Sequence, residues 1–467
     1  MLSSHRPTAD EDALATRYAS RFLQGPVPRN ELPAGEMPAD VAYQLVHDEL
    51  NLDGSPALNL ASFVTTWMEP EADRLMAETL GKNAIDADEY PQTTELQHRC
   101  VNMLARLWNA PEPPPGEPGG VGTATVGSSE AIHLAGLALK WRWRARREAA
   151  GKPADRPNLV MSQGVQVCWE KFARYFDVEP RYVPLVEGRY VLDVERALAL
   201  VDEHTIGVVA ILGTTYTGEY EDVASLDDAI GSLNEQTGWD VGIHVDAASG
   251  GFVAPFLTPD LRWDFGLPCV RSINASGHKY GLVYPGVGWV VWRAAEDLPE
   301  DLIFHVNYLG GDQPTFNLNF SRGAGQIIAQ YFNFLRLGRS GYQSVMRSLE
   351  DTSRYLAEAV VRTGHFDELS TPATLPLVCV RLRGERSYSV FDLSAKLRER
   401  GWIVPAYTMA PDAQEVAVLR MVVREGLSRD MAEALAADLD AAVAFFDRAG
   451  AAAAQATPDP AKTKGVC

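Results

Sequence analysis

Three short stretches of the sequence carry residue types that could hold a phosphorylated ligand. In Asn274-Ala275-Ser276-Gly277-His278-Lys279-Tyr280, a lysine follows a small, hydroxyl-bearing turn that could approach an anion. Asp246 closes an apolar run, and Gly127-Ser128-Ser129 opens a predicted helix. A lysine amine, a buried aspartate and a glycine/serine helix start are the protein groups that pyridoxal phosphate (PLP) needs. We therefore predict a PLP site.

Each part of this site has a physical reason to be there. The Lys279 amine must be partly deprotonated to form a Schiff base, so its surroundings should be desolvated or carry neighbouring charge. An unpaired Asp246 carboxylate in a buried strand would be costly, and the protonated pyridine nitrogen of PLP is a suitable partner. Free N–H groups and the helix dipole at Ser128 favour a phosphate, to which Ser276 and His278 would add donors.

The same residues also have simpler interpretations. Lysines are commonly solvated surface charges, Asp246 could be a satisfied structural carboxylate, and Ser128 could simply begin a helix. His244 lies on the same strand face as Asp246, and we interpret it first as a packed core histidine. Gln166 could lie over a cofactor ring or be a surface glutamine. The PLP prediction is strong only because Lys279 and Asp246 occur together.

Composition and charge argue against several classes of function. The chain has 467 residues, and 42 basic against 62 acidic residues give a net charge of −20. This charge disfavours nucleic acid or an anionic membrane as a partner. Five scattered cysteines without a C-x-x-C pair predict neither disulfides nor a metal site. No apolar stretch has the length of a membrane span and the N-terminus is not a signal peptide, so we expect a cytoplasmic protein.

Strand and helix patterns alternate from Val121 to about Trp292, which predicts a parallel sheet covered on both faces. A long helix at 322–350, kinked at Gly338 and Gly341, is predicted to lead to a smaller C-terminal unit. Further strands and helices are predicted at 158–162, 206–212, 242–246, 272–274, 375–383 and 416–423, and at 38–50, 91–108, 128–147, 167–176, 225–236, 391–400 and 430–446.

Several longer motifs closely resemble those of the PLP-dependent glutamate decarboxylases of bacteria and plants. The resemblance extends from Leu58 to about Arg424. It rests on Glu89-Tyr90-Pro91-Gln92, Cys100-Val101-Asn102-Met103, Lys140-Trp141-Arg142-Trp143-Arg144, Lys171-Phe172-Ala173-Arg174-Tyr175, Thr215-Tyr216-Thr217-Gly218, His244-Val245-Asp246-Ala247-Ala248, Ser276-Gly277-His278-Lys279 and Asn319-Phe320-Ser321-Arg322.

The resemblance implies an α/β fold of the aspartate-aminotransferase type (fold type I) and conversion of L-glutamate to 4-aminobutyrate and carbon dioxide. It implies an N-terminal arm at 1–57, a large PLP-binding domain with a mostly parallel sheet at 58–345, a small C-terminal α+β domain at 346–450 and a flexible tail at 451–467. It also implies a homo-oligomer whose active sites lie at a dimer interface, often assembled further into a hexamer.

The resemblance implies a role for individual residues. Lys279 matches the Schiff-base lysine and Asp246 the partner of the pyridine nitrogen. Gln166 matches the residue that stacks on the ring, and Thr215 one that contacts it. The implied phosphate ligands are Ser128, Ser129, Ser276, His278 and Ser321, the last donated by the neighbouring subunit.

Arg424 matches the arginine that takes the substrate α-carboxylate. A bidentate guanidinium can hold the scissile bond perpendicular to the cofactor ring. The positions that match the site of the distal carboxylate are Ser62, Phe63 (through its backbone N–H), Asn83 and Asp86. Because two close like charges cannot both stay ionised, Asp86 and the substrate would share a proton, which predicts a mildly acidic optimum.

The chain departs from the acid-resistance enzymes of enteric bacteria at three places. Ser62 replaces a threonine and keeps the hydroxyl, and Glu170 replaces a histidine. The C-terminus, Lys464-Gly465-Val466-Cys467, has no histidine for the pH-gated plug of those enzymes. A basic, aromatic calmodulin-binding tail of the plant type is also absent from the sequence.

Two alternatives remain open from the sequence. Another fold type I decarboxylase or a C–C lyase would need different groups where Ser62, Asn83 and Asp86 stand. A non-catalytic scaffold would have been indicated by loss of Lys279, Asp246 or Arg424, and all three are present.

Overall fold

The computed structural model describes residues 27–112, 119–307 and 313–449. The chain divides into two compact units, one ending at Pro56 and one beginning at Ala57. The predicted tail at 451–467 lies outside the described residues, as do residues 1–26 of the predicted arm. In the first unit, helix α1 (Ala39–Leu50) confirms the predicted helix at 38–50.

The helices and strands of the second unit follow the predicted alternation. The helices are α2 (Pro70–Thr79), α3 (Pro91–Leu107), α4 (Ser128–Ala149), α5 (Val167–Tyr175), α6 (Val194–Ala199), α7 (Val223–Thr237), α8 (Ala254–Leu257), α9 (Gly325–Arg362), α10 (Val390–Arg398) and α11 (Arg429–Ala449). The strands are β1 (Val121–Thr125), β2 (Asn158–Ser162), β3 (Glu179–Val183), β4 (Thr205–Ile211), β5 (Gly242–Asp246), β6 (Val270–Ala275), β7 (Gly288–Trp292), β8 (Phe304–Val306), β9 (Gln313–Thr315), β10 (Phe366–Glu368), β11 (Leu377–Leu382), β12 (Ala406–Thr408) and β13 (Ala417–Val422).

Within the described residues, seven strands form the large sheet in the order β1-β7-β6-β5-β4-β2-β3. β7 pairs antiparallel with β1 and β6, and the other neighbours are parallel. β2, β4 and β5 are buried along their whole length, as expected for strands covered on both faces. Leu159 and Met161 pack into one core with α4 and α5, whereas Val160 packs into the core on the opposite face. The predicted, mostly parallel sheet is confirmed.

A second, antiparallel sheet in the order β10-β11-β13-β12 packs against α9 and α10, and α11 packs on these two helices. Helix α9 leads to it and is kinked at Gly338, whose φ of 56° places it in the left-handed region. The predicted helix boundaries, 322 and 350, need correction. α9 begins at Gly325 because residues 322–323 are extended against Asn83, with Ala84 N donating to Arg322 O at 2.8 Å. It continues to Arg362, shortly before Gly364 with its positive φ of 79°. Gly341 lies in regular helix. Among the described helices, none is long and apolar enough to cross a membrane.

The predicted site residues lie where the parallel strands end. Asp246 is the last residue of β5, the Lys279 turn follows β6, and Thr215 follows β4. In open α/β sheets, ligands bind at the carboxyl ends of the strands. The sheet therefore brings together stretches that are far apart in the sequence.

Candidate active site

The turn that carries Lys279 packs against residues 59–66, which we call the 59–66 segment. Thr65 Oγ1 donates to Lys279 O at 2.6 Å, and Thr65 N donates to His278 O at 2.9 Å. The Lys279 amine is half-buried; its Nζ donates to Ser249 Oγ at 3.3 Å and lies 5.4 Å from the ring centre of Phe63. Ser249 and Phe63 thus partly shield the lysine amine from bulk solvent.

Asp246 is buried and surrounded by hydrogen-bond donors. Trp169 Nε1 donates to its Oδ2 at 2.9 Å, and Asn274 Nδ2 and Ala248 N both donate to its Oδ1 at 3.2 Å. Both oxygens of the carboxyl group therefore accept hydrogen bonds. This arrangement suits a group that must pair with a cation.

The start of α4 and the lysine turn together form a small polar cradle. Ser128 Oγ lies 2.7 Å from Ser276 Oγ. A Cβ added at Gly127 would lie 3.2 Å from His278 Cε1, and one added at Gly288 would lie 2.5 Å from the carbonyl carbon of Gly127. Glycine at these two positions is what allows the backbone and the histidine to come together.

The cradle fits an anionic group such as phosphate. His278 Nδ1 is buried and has no hydrogen-bond partner among the described residues. Burial and the nearby Lys279 lower the pKa of His278 to about 4. Ser128 is half-buried, and Ser129, the second residue of α4, is exposed beside it. A buried, unsatisfied ring nitrogen next to hydroxyls and a helix start is the environment that a phosphate oxygen would complete.

Gln166 and Thr215 line a common cavity of about 850 Å³. Gln166 caps α5, its Oε1 accepting from Cys168 N at 2.9 Å. The cavity is also lined by Gln163, Glu170, Tyr182 and Tyr216. Glu170, one of the departures noted in the sequence, therefore lies at the cavity wall.

Arg424 lies two residues beyond β13 and is buried against the 59–66 segment. Its Nη1 donates to Val64 O at 2.9 Å and to Thr66 Oγ1 at 2.8 Å, and its Nη2 donates to Asn59 O. The Glu425 carboxylate is 3.8 Å away and accepts from Thr66 N at 2.7 Å. Burial lowers the pKa of Arg424. The guanidinium thus has a fixed position relative to the segment that contacts the lysine turn.

A second buried arginine, Arg420, was not predicted as a site residue. Its Nη1 donates to Thr215 O at 2.7 Å and its Nη2 to Ala61 O. The guanidinium lies 5.0 Å from the ring centre of Phe63 and 5.6 Å from that of Tyr407. Arg420 is fully buried in β13, and a charged residue inside the apolar run Val418-Leu419-Arg420-Met421 was the signal available in the sequence.

The residues predicted for the distal carboxylate fall into two groups. Ser62 and Phe63 belong to the 59–66 segment, where Ser62 Oγ accepts from Val64 N at 3.1 Å. Asn83 instead lies beside Asp86 and Ser321: its Nδ2 is 3.2 Å from Asp86 Oδ1 and 3.5 Å from Ser321 Oγ. Asn83, Asp86 and Ser321 thus form a cluster of their own.

Comparison with known proteins decides the family. Residues 33–383 match the family described as "Pyridoxal-dependent decarboxylase conserved domain". The chain belongs to this family. The predicted PLP cofactor and decarboxylase class are thereby confirmed.

Members of the family with curated names cover nearly all of the chain. The "Glutamate decarboxylase" of Solanum lycopersicum is 56% identical over 437 residues, which are 94% of this chain and 87% of the relative. That of Aliivibrio fischeri is 49% identical over 439 residues, 93% of this chain and 94% of the relative. The solved glutamate decarboxylase of Lactobacillus brevis superposes with a TM-score of 0.89 at 45% identity and covers 94% of this chain and 99% of that chain.

More distant decarboxylase-family structures share the fold alone. A sphingosine-1-phosphate lyase of Burkholderia pseudomallei superposes with a TM-score of 0.75 at 22% identity, over 92% of this chain and 98% of that chain. Together with the observed sheets, these superpositions confirm the predicted fold type I. The roles of the individual site residues stay predictions.

Proposed function

We propose that the protein catalyses the PLP-dependent α-decarboxylation of L-glutamate to 4-aminobutyrate and carbon dioxide. Curated glutamate decarboxylases between 49% and 57% identical to it support this activity. The observation that carries the proposal is the packing of the Lys279 turn against the 59–66 segment, with Nζ 5.4 Å from the Phe63 ring. One short segment thus links the amine, the predicted substrate groups and the Arg424 guanidinium.

The residues around the cradle would hold the cofactor. Lys279 would carry its aldehyde carbon, and Asp246 would pair with its ring nitrogen. Its phosphate would be held by Ser128, Ser129, Ser276 and His278. When bound, PLP withdraws electrons from the substrate Cα through its protonated ring.

Arg424 would bind the substrate α-carboxylate and orient the bond that breaks. Its hydrogen bonds to Val64 O and Thr66 Oγ1 fix the guanidinium relative to Lys279, which Thr65 contacts directly. A carboxylate held there can be kept perpendicular to the cofactor ring, so that carbon dioxide leaves in preference to the α-proton.

The cluster around Asn83 supports a homodimer as the smallest active unit. If Ser321 serves the neighbouring subunit's site, as the family resemblance implies, Asn83 and Asp86 must do so too because they lie beside it. The distal carboxylate would then be bound by Ser62 and Phe63 of one subunit and by Asp86 of the partner subunit. Asp86 and the substrate would share a proton, which favours binding at mildly acidic pH.

Exposed apolar side chains near this cluster support the same arrangement. Leu80, three residues before Asn83, is 78% exposed, and Leu318, three residues before Ser321, is 48% exposed. Large exposed apolar side chains are typical of surfaces that contact another chain. Assembly into a hexamer and a cytoplasmic location stay predictions.

Release of carbon dioxide and amine from a panel of amino acids tests the proposed activity. The panel contains glutamate, aspartate, glutamine, tryptophan and tyrosine, each with purified protein and added PLP at pH 5 and pH 7. We expect glutamate to be the best substrate by a wide margin, because glutamine lacks the distal carboxylate and aspartate cannot span the two sites. A better rate with any other amino acid would overturn the substrate assignment while leaving the fold intact.

A further inference from the structure

A row of buried polar side chains runs from Ser272 to Asp246 across β5 and β6. In the parallel pairing of these strands, His244 lies opposite Ser272 and Asp246 opposite Asn274. His244 Nδ1 is 2.7 Å from Ser272 Oγ, His244 Nε2 is 2.8 Å from Asn274 Oδ1, and Asn274 Nδ2 is 3.2 Å from Asp246 Oδ1. All four residues are at most 5% exposed. The row is therefore shielded from water and continuous.

The donors and acceptors of these side chains allow the hydrogen bonds of the row to run in one direction. An ionised Asp246 oxygen can only accept, so Asn274 must donate its Nδ2–H and present its Oδ1 to the histidine. His244 must then carry its proton on Nε2 and accept at Nδ1, which leaves the Ser272 hydroxyl as the donor there. Burial lowers the pKa of His244 to about 4, which agrees with a neutral ring. Every donor in the row thus points towards Asp246.

The other oxygen of Asp246 is held from a different element. Trp169 Nε1 of α5 donates to Oδ2 at 2.9 Å, and the Trp169 ring packs edge-on against His244, with ring centres 5.2 Å apart. His244 therefore contacts both side chains that donate to Asp246, Asn274 and Trp169; the third donor is the backbone N–H of Ala248. Replacement of His244 would therefore disturb the hydrogen bonds to both oxygens of Asp246.

We propose that His244 is a positioning residue that, through Asn274, keeps the Asp246 carboxyl group oriented towards the cofactor ring nitrogen. The inference rests on the proposed function, in which Asp246 pairs with that nitrogen. A rotated Asp246 would form a poorer hydrogen bond with the ring N–H, so PLP would be bound less tightly and its ring would be less protonated. A histidine that only filled the core would have neither effect.

Paired substitutions at position 244 separate these two roles. Gln has a donor and an acceptor and can reproduce the link from Ser272 to Asn274, whereas Met has similar length and neither group. His133→Met is the control, because His133 lies on α4 and its contacts with Phe172, Phe176 and Cys168 O are outside the row. For each full-length variant, the PLP dissociation constant is measured by titrating the apoprotein, together with the absorption spectrum of the bound cofactor and the melting temperature of the apoprotein.

We expect His244→Met to weaken PLP binding several-fold, with a change in the absorption bands of the cofactor, and His244→Gln to retain most of the affinity. Asn274→Leu removes the hydrogen bond to the charged oxygen itself and should weaken PLP binding by about tenfold or more. Asn274→Leu also tests whether the row supports PLP binding if the variants at position 244 do not fold. His133→Met should leave both the affinity and the spectrum unchanged.

Two results would overturn the inference. In the first, His244→Met or Asn274→Leu lowers the apoprotein melting temperature while PLP affinity and spectrum stay as in the wild type. In the second, Gln and Met at position 244 weaken PLP binding equally. If the wild-type protein itself bound no PLP, the proposed function would fail as well, so the two failures are distinguishable.

Discussion

Two buried arginines hold the segment that carries half of the predicted substrate site. Arg420 lies within β13 and Arg424 two residues beyond its end, and both guanidinium groups bond to the 59–66 segment. Arg420 donates to Ala61 O and Thr215 O, and Arg424 to Asn59 O and Val64 O. Because three of the acceptors are backbone carbonyls of the 59–66 segment, the two arginines fix the path of its backbone. They also place two positive charges beside it.

Replacement of Arg424 by Met should impair catalysis far more than cofactor binding. Loss of a charged hydrogen-bond partner for the α-carboxylate predicts a decrease in kcat/KM of roughly 10- to 100-fold. The PLP dissociation constant should change by less than about threefold, because Arg424 is not among the groups predicted to hold the cofactor. Steady-state kinetics measure kcat/KM, and PLP titration of the apoprotein measures the dissociation constant.

Arg400→Met is the control for this variant, because its guanidinium is 70% exposed and its pair with Asp438 is at the surface. Equal losses of PLP affinity and kcat/KM in Arg424→Met would mean that Arg424 supports the structure and does not bind the substrate.

At the level of elements, three segments are tied to one another around the lysine. The Lys279 turn bonds to the 59–66 segment through Thr65, and the 59–66 segment bonds to Arg424. Tyr280 completes the connection: its hydroxyl is 3.2 Å from Pro376 O and 3.3 Å from Val423 O, next to Arg424. The second sheet and the lysine turn are thus joined by a buried hydroxyl.

Tyr280→Phe should loosen this connection without removing the packing of the ring. A buried hydrogen bond contributes about 1 kcal/mol, so the unfolding free energy should fall by about that amount. We also expect a higher KM for glutamate, because Lys279 and Arg424 would be held less firmly relative to each other. Urea unfolding and steady-state kinetics measure these effects.

Tyr175→Phe, at a residue 65% exposed, serves as the control for the loss of a hydroxyl. A normal KM in Tyr280→Phe together with reduced stability would contradict the coupling and leave Tyr280 as a structural residue.

Local patterns predicted the elements that have a strong apolar period, including β2, β4, β5 and α5. They did not predict β3, an edge strand whose residues Glu179, Pro180 and Arg181 are polar or lack an N–H. The bond from Tyr280 to Val423 spans 143 residues, and nothing local encodes it. Motifs thus identified the chemical groups, whereas long-range packing decided which of them meet.

For the whole molecule, two buried groups give opposite pH dependences of stability. Burial lowers the pKa of His244 from 6.5 to about 4, so the unfolded chain binds the extra proton and stability is lost as the pH falls from 6.5 towards 4. Burial raises the pKa of Glu221 from 4.5 to about 8, so the folded chain holds the extra proton and stability is lost as the pH rises from 4.5 towards 8. These two groups favour maximal stability in mildly acid solution.

Glu221→Gln should flatten the decline in stability between pH 5 and pH 8. The decline flattens because a Gln side chain does not titrate. The amide has only one oxygen, so the variant also loses one of the hydrogen bonds from Ile211 N and Leu192 N and is less stable overall. Thermal unfolding midpoints of variant and wild type across this range measure the slope, with the exposed Glu235→Gln as control. An unchanged slope would show that Glu221 is ionised in the folded protein.

Mixed subunits test whether each site is shared between two chains. Lys279→Ala and Asp86→Asn subunits are each expected to be nearly inactive alone. If Asp86 serves the partner's site, random mixing gives a heterodimer with one intact site and restores about a quarter of the wild-type activity. If Asp86 serves its own subunit, every site stays defective and mixing restores nothing. A subunit with both substitutions, mixed with Lys279→Ala, provides the background.

The proposed roles of all the other site residues depend on attachment of the cofactor at Lys279. Borohydride reduction of the purified holoprotein, followed by peptide mapping by mass spectrometry, tests it most directly. We predict loss of the yellow colour and a pyridoxyl phosphate group attached to the peptide that contains Lys279. A protein without any such group, or with the group on another lysine such as Lys140 or Lys171, would contradict the account.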